Sequence, residues 1–80
     1  RPFLEAHRTW LDQQFGLGRC IRSGFLVDDQ RRPGGGGLLM FQASSYADAL
    51  DWVSQDPMIV AGLVVWQLQE WIPVTGDDWP

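Results

Sequence analysis

The first apolar residues of the chain fall at helical spacing. Phe3, Leu4, His7, Trp10, Leu11 and Phe15 recur every three or four positions, and Glu5, Arg8, Asp12 and Gln13 take the opposite side. This predicts an amphipathic helix over 3–15, with Pro2 tolerated in its first turn and Gly16 and Gly18 stopping it. Residues 19–27 (RCIRSGFLV) then read as a strand, in which Gly24 marks a bulge or a point of close approach. A polar stretch, 28–33, runs into four glycines at 34–37, which predicts a flexible hairpin connection. Leu38–Phe41 follows as a buried strand. Ser45 and Asp48 have the spacing of an acidic capping box, opening a second helix whose buried face is Tyr46, Ala49, Leu50 and Val53. Asp56-Pro57 starts a short helical turn, Met58 to Ala61, that Gly62 ends. Residues 63–74 (LVVWQLQEWIPV) predict a long last strand, and 75–80 a loose tail.

The order helix, strand, strand, helix, strand becomes β-α-β-β-α-β once one more strand precedes the first helix. The expected fold is therefore α+β and ferredoxin-like, with its first strand apparently missing from this chain and a gap left between the third and fourth strands. The last strand is apolar on both sides. Val64, Trp66, Leu68 and Ile72 point one way, and Leu63, Val65 and Trp71 the other. Two helices cover only one face of a sheet, so the second apolar face calls for a partner, and a homodimer packed through that face is expected.

Composition narrows the alternatives. Eighty residues make one small domain whose core is marginal unless something supplements it. Cys20 is the single cysteine, so no intrachain disulfide can form, and with His7 as the single histidine no metal site is expected. The net charge of −4 argues against nucleic acid as a partner, and the absence of lysine reads as a genome-composition bias. No apolar run reaches the length needed to span a membrane. The cytoplasm is the default location, although the chain begins at Arg1 and a leader could precede it. No cofactor is expected. The glycine run in particular is followed by an apolar strand, whereas a phosphate loop needs a helix there.

His7 lies inside the apolar stripe of the first helix. It reads either as a core histidine satisfied by one partner or as a general acid/base tuned by burial and a carboxylate. Asp56 is its natural partner, and also a plain helix cap; one carboxylate can do both. Ser23 and Gly24 could line the same cavity, as substrate-binding positions, or form an ordinary strand irregularity. A Ser23–His7–Asp56 nucleophilic triad lacks the strained elbow that such a serine needs.

Four stretches resemble the YCII-related (YciI-like) proteins of the dimeric α+β-barrel group. They are Arg1-Pro2 through His7-Arg8-x-Trp10-Leu11, Gly18-Arg19 leading to Ser23-Gly24, Ser45 to Ala49, and Asp56-Pro57-x-x-x-Ala61-Gly62-Leu63, the most specific. Together they span Arg1 to about Val74, so 1–74 is read as a YciI-like domain. Phe25 stands where the family usually has proline, and the usual first strand is absent. The resemblance implies a small enzyme or enzyme-like protein built around a histidine–aspartate pair, and one relative is linked to dehydrochlorination of a chlorinated hydroxyquinol.

Two functions follow as expectations. In the first, His7 and Asp56 carry out proton transfer, elimination or lyase-type chemistry on a small organic substrate, an aromatic one included. In the second, the chain is a non-catalytic dimeric module that binds a small molecule or a protein.

Overall fold

Five elements follow one another in the computed structural model, which describes residues 2–77. They are α1 (Pro2–Gly16), β1 (Ile21–Val27), β2 (Pro33–Phe41), α2 (Tyr46–Val53) and α3 (Pro57–Val60). β1 and β2 form a two-stranded antiparallel sheet, so the chain is α+β. The expected tail is described only as far as Asp77; residues 78–80 lie outside the described residues.

The core forms where aromatic side chains from three elements converge. Trp10 of α1 meets Trp52 of α2 with ring centroids 4.7 Å apart, and Phe41 at the end of β2 meets the same indole at 4.4 Å. Tilted aromatic pairs at these distances add to simple area burial. Val53 completes the buried cluster, and Leu11, Ile21, Leu39, Ile59 and Leu68 pack around it. Across the ladder Ile21 pairs with Phe41 and Ser23 with Leu39. Directly opposed residues share a face, so these four point toward the helices.

Several expectations change on the structure. The buried stripe of α1 runs through His7, Trp10, Leu11 and Gln14, whereas Phe3, Leu4 and Phe15 stay exposed. Likewise α2 turns Trp52 and Val53 inward and leaves Tyr46 and Leu50 exposed. In both helices the position of Trp10 against Trp52 sets the rotation, because the largest rings dominate the area that can be buried. Half of the expected capping box of α2 is present: the Asp48 N–H donates to Ser45 Oγ at 3.0 Å, while the Asp48 carboxylate accepts from the Ser44 hydroxyl instead of closing the box.

The glycines are the clearest correction. Residues 34–37 do not form the hairpin connection; they belong to β2. The ladder is regular from Ile21↔Phe41 to Phe25↔Gly37, so Gly24 sits opposite Leu38 without a bulge. The irregularity lies further out, between Phe25 and Val27, where Gly34 (φ 130°) and Gly36 (φ 87°) adopt backbone that side chains disfavour. A Cβ on Gly37 would stand 3.3 Å from the Gly24 carbonyl oxygen. The glycines thus serve close approach and a bulged strand, rather than flexibility.

The turn itself is Asp28–Arg32. The Asp28 N–H donates to the Arg32 carbonyl, and the Arg31 N–H to the Asp28 carbonyl, each at 3.0 Å. The Asp28 carboxylate accepts from the Arg32 N–H, the Arg32 Nε–H and the Gln30 N–H at 2.8–2.9 Å. These bonds, those from Arg32 foremost, hold its carboxyl below the ordinary aspartate range. The turn's gain from the ionised form is therefore complete above that range and is lost as pH falls through the lowered folded value.

Residues 63–74 are also corrected. They form no strand, since no backbone lies alongside them in a ladder among the described residues. Three contacts hold the segment: the Leu63 N–H donates to the Met58 carbonyl at 3.0 Å, Leu68 packs on the aromatic cluster, and the Tyr46 hydroxyl donates to the Leu68 carbonyl at 3.4 Å. Val65, Trp71, Ile72 and Val74 stay exposed. Extended backbone is recognised as a strand only when its N–H and C=O groups find another strand.

Arg31 has φ +64°, and it is the one non-glycine residue among those described with a left-handed backbone. Replacing Arg31 by Gly should raise unfolding stability in urea by up to about 1 kcal/mol, whereas Val should lower it by about 1–2 kcal/mol. Equal midpoints for the two variants would show that the turn does not hold this conformation in solution.

Candidate functional site

α1 carries His7 inward because position 7 lies one turn before Trp10 and Leu11 on the packed stripe. Asp56 arrives from the other side. The chain leaves α2 through a tight turn in which the Asp56 N–H donates to the Val53 carbonyl at 3.0 Å, and Pro57 then opens α3. Asp56 is the N-cap of α3: the Met58 N–H donates to Asp56 Oδ1 at 3.0 Å. A proline at the first helical position supplies no N–H of its own, so the carboxylate takes the next one.

The two side chains meet face to face. His7 Nδ1–H donates to Asp56 Oδ1 at 2.8 Å and to Oδ2 at 2.7 Å. The His7 side chain is 19% exposed and that of Asp56 7%. An ionised carboxylate only accepts hydrogen bonds, so Nδ1 must carry a proton. Nε2 is then the ring atom left for chemistry: a base when the ring is neutral and an acid when it is charged. Burial of a carboxylate is costly without partners, and Asp56 has both the ring and a backbone N–H.

Ser23 and Gly24 are placed differently. Both lie exposed in the middle of β1, opposite Leu39 and Leu38. Ser23 shares the helix-facing side of the ladder, yet neither residue is hydrogen-bonded to His7 or Asp56. A concave surface of about 270 Å³ lies elsewhere, between Arg19, Ser44, Asp48, Asp51, Gln55 and the edge of Trp52. The Arg19 guanidinium lies over the Trp52 ring, 4.6 Å from its centre, and donates to the Gln42 carbonyl at 3.2 Å. Among the described residues no group of three or more His, Cys, Asp or Glu side chains is placed to hold a metal ion. Nor is any helix there long and apolar enough to cross a membrane.

One polar residue at this packing surface escapes the hydrophobic pattern. Gln14 Oε1 accepts the Trp52 indole N–H at 2.7 Å, and the residue is half-buried. Its signal in the sequence is its spacing: seven residues after His7, hence the same helix face.

No curated protein and no solved structure matches the chain. The family model of the YCII-related domain matches it over residues 1–72, which takes in both members of the pair and every helix and strand described. The chain belongs to the YCII-related domain family.

Proposed function

We propose that this chain is a small acid/base enzyme in which His7 transfers a proton through Nε2 and Asp56 holds the ring in the tautomer that makes this possible. The observation that carries the reading is the double contact of Nδ1 with both carboxylate oxygens, at 2.7 and 2.8 Å, by an aspartate that α3 itself anchors. That contact supports reading His7 as the base and Asp56 as its orienting group. The reaction class that fits is proton abstraction from a small organic molecule, with elimination or lyase-type bond cleavage as its consequence. Ser23 and Gly24 are proposed as substrate-contacting positions on the helix-facing side of the ladder, where a glycine admits close approach.

We further propose that the working form is a homodimer whose sheets complete a ferredoxin-like α+β barrel. The chain exposes 6667 Å², about 1,800 Å² more than the roughly 4,900 Å² expected for a compact monomer of this length. An excess of that size matches one protomer's share of an extensive homodimer interface. Phe25, Leu38, Leu63, Val65, Trp71 and Ile72, which are 53–103% exposed, contribute to it. The same observation favours the second reading, a dimeric binding module without catalysis; the chemistry of His7 decides between them.

Imidazole 15N spectra and deuterium incorporation into a panel of small carbonyl compounds and phenols in D2O test the acid/base reading. His7→Gln should lower the exchange rate of any responsive compound by about 10²–10⁴-fold while the protein stays folded. Asp56→Asn keeps a capping oxygen, so stability should fall by less than about 1 kcal/mol, yet the ring should pass to the Nε2–H tautomer. Exchange that survives both substitutions would leave the binding module as the better account.

Sedimentation equilibrium at micromolar concentration checks the assembly. A dimer is expected, and Trp71→Glu or Val65→Glu should shift it toward monomer. A folded monomer in the unsubstituted protein would contradict the proposal.

A further inference from the structure

His7 is not the only polar side chain by which α1 grips the rest of the molecule. His7 and Gln14 are two helical turns apart, about 10 Å along one face of α1. They bind Asp56 and Trp52, two points four residues apart on the α2–α3 unit. Between these two contacts Trp10 lies against Trp52 at 4.7 Å. Phe3, Leu4 and Phe15, which a purely apolar docking face would bury, remain 49%, 38% and 68% exposed.

Ring packing is non-directional and tolerates sliding and rotation of one helix on another. The hydrogen bonds at either end do not, because each demands a donor–acceptor line within a few tenths of an ångström. A rotation of α1 that kept Trp10 on Trp52 would carry Gln14 off the indole N–H and His7 off the carboxylate together. One bond of the two would leave α1 free to pivot about it. Both together set its rotation and its register.

We propose that Gln14 is a positioning residue for His7: its bond to the Trp52 indole holds α1 in the register that presents Nδ1–H to both oxygens of Asp56. The inference rests on the acid/base reading of the His7–Asp56 pair and adds to it the residue that maintains the pair from two turns away.

The test is a set of 15N-labelled variants observed by NMR at about pH 8, above the ordinary histidine range. Gln14→Leu removes the acceptor at similar volume, and Gln14→Glu restores one. In Gln14→Leu the Trp52 indole resonance should move. The ratio of Nδ1–H to Nε2–H tautomer at His7 should also fall by about threefold or more, and Gln14→Glu should return both toward the unsubstituted protein. A Gln14→Leu protein that shifts the indole resonance and leaves the tautomer ratio unchanged overturns the inference, because a purely structural contact would behave that way.

Should Gln14→Leu fail to fold, the coupling is read in reverse, since linkage between two sites is reciprocal. Asp56→Asn, which keeps the cap, should then speed exchange of the Trp52 indole proton by about threefold; an unchanged rate overturns the inference. A different result separates the two levels. If His7 shows no preference for Nδ1–H even in the unsubstituted protein, the acid/base reading fails and takes the role of Gln14 with it. A preference that survives loss of Gln14 removes the inference alone.

Discussion

A carboxylate with 7% of its side chain exposed must be satisfied by its neighbours, and at Asp56 that requirement organises the molecule around it. One demand is met locally, by the Met58 N–H that begins α3. The other is met from 49 residues away, by the ring of His7. Without α1 in place the carboxylate would keep a single donor, the Met58 N–H. The docking of the first helix and the geometry of the candidate base are therefore one physical fact. The contact that satisfies the buried carboxylate also orients the ring.

The aromatic cluster explains why that contact forms at this place. Trp52 is shared by four neighbours: Trp10 and Phe41 pack on it, Arg19 covers it, and Gln14 accepts its N–H. Few other residues are buried, since only Trp10, Val53 and Asp56 join it in that class among the described residues. A small chain with so little interior depends heavily on a few large rings and on directional polar contacts at their rim. His7 lies one turn before Trp10 on the same helix face, 19% exposed, with Nδ1 held against Asp56. The hairpin of β1 and β2 extends away from the cluster and keeps most of its apolar surface exposed. It is this surface, with residues 63–74, that gives the homodimer its argument.

Membership in the YCII-related family and the pairing of the sole histidine with Asp56 support each other without depending on each other. The family match covers residues 1–72 as a sequence pattern, whereas the pairing is a distance. The polar cleft beside Arg19 belongs to neither. Of its two acidic side chains, that of Asp48 accepts from the Ser44 hydroxyl.

Much of this was legible in the residues. The two main helices, the first two strands, the capping serine and the capping role of Asp56 follow from local rules, because caps and periodicity act within one or two turns. His7 stood out as a polar residue on an apolar stripe. What local rules could not decide was rotation and partnership. Phe3, Leu4 and Phe15 fit the helical period as well as Trp10 does, yet the meeting of two indoles set which face turned inward and brought Gln14 with it. Four glycines read as a flexible link; only the ladder, with the Gly37 backbone close to Gly24, made them strand. Residues 63–74 carry every local mark of a strand and still lack one, because a strand is a relation between two backbones. Composition and spacing thus determined which segments could be helical or extended and that the one histidine lay on a packed helix face, while the resemblance to the family implied its aspartate partner. The tertiary structure decided which faces were buried, which backbones found partners and which nitrogen of His7 meets the carboxylate, since each of those depends on a neighbour far away along the chain.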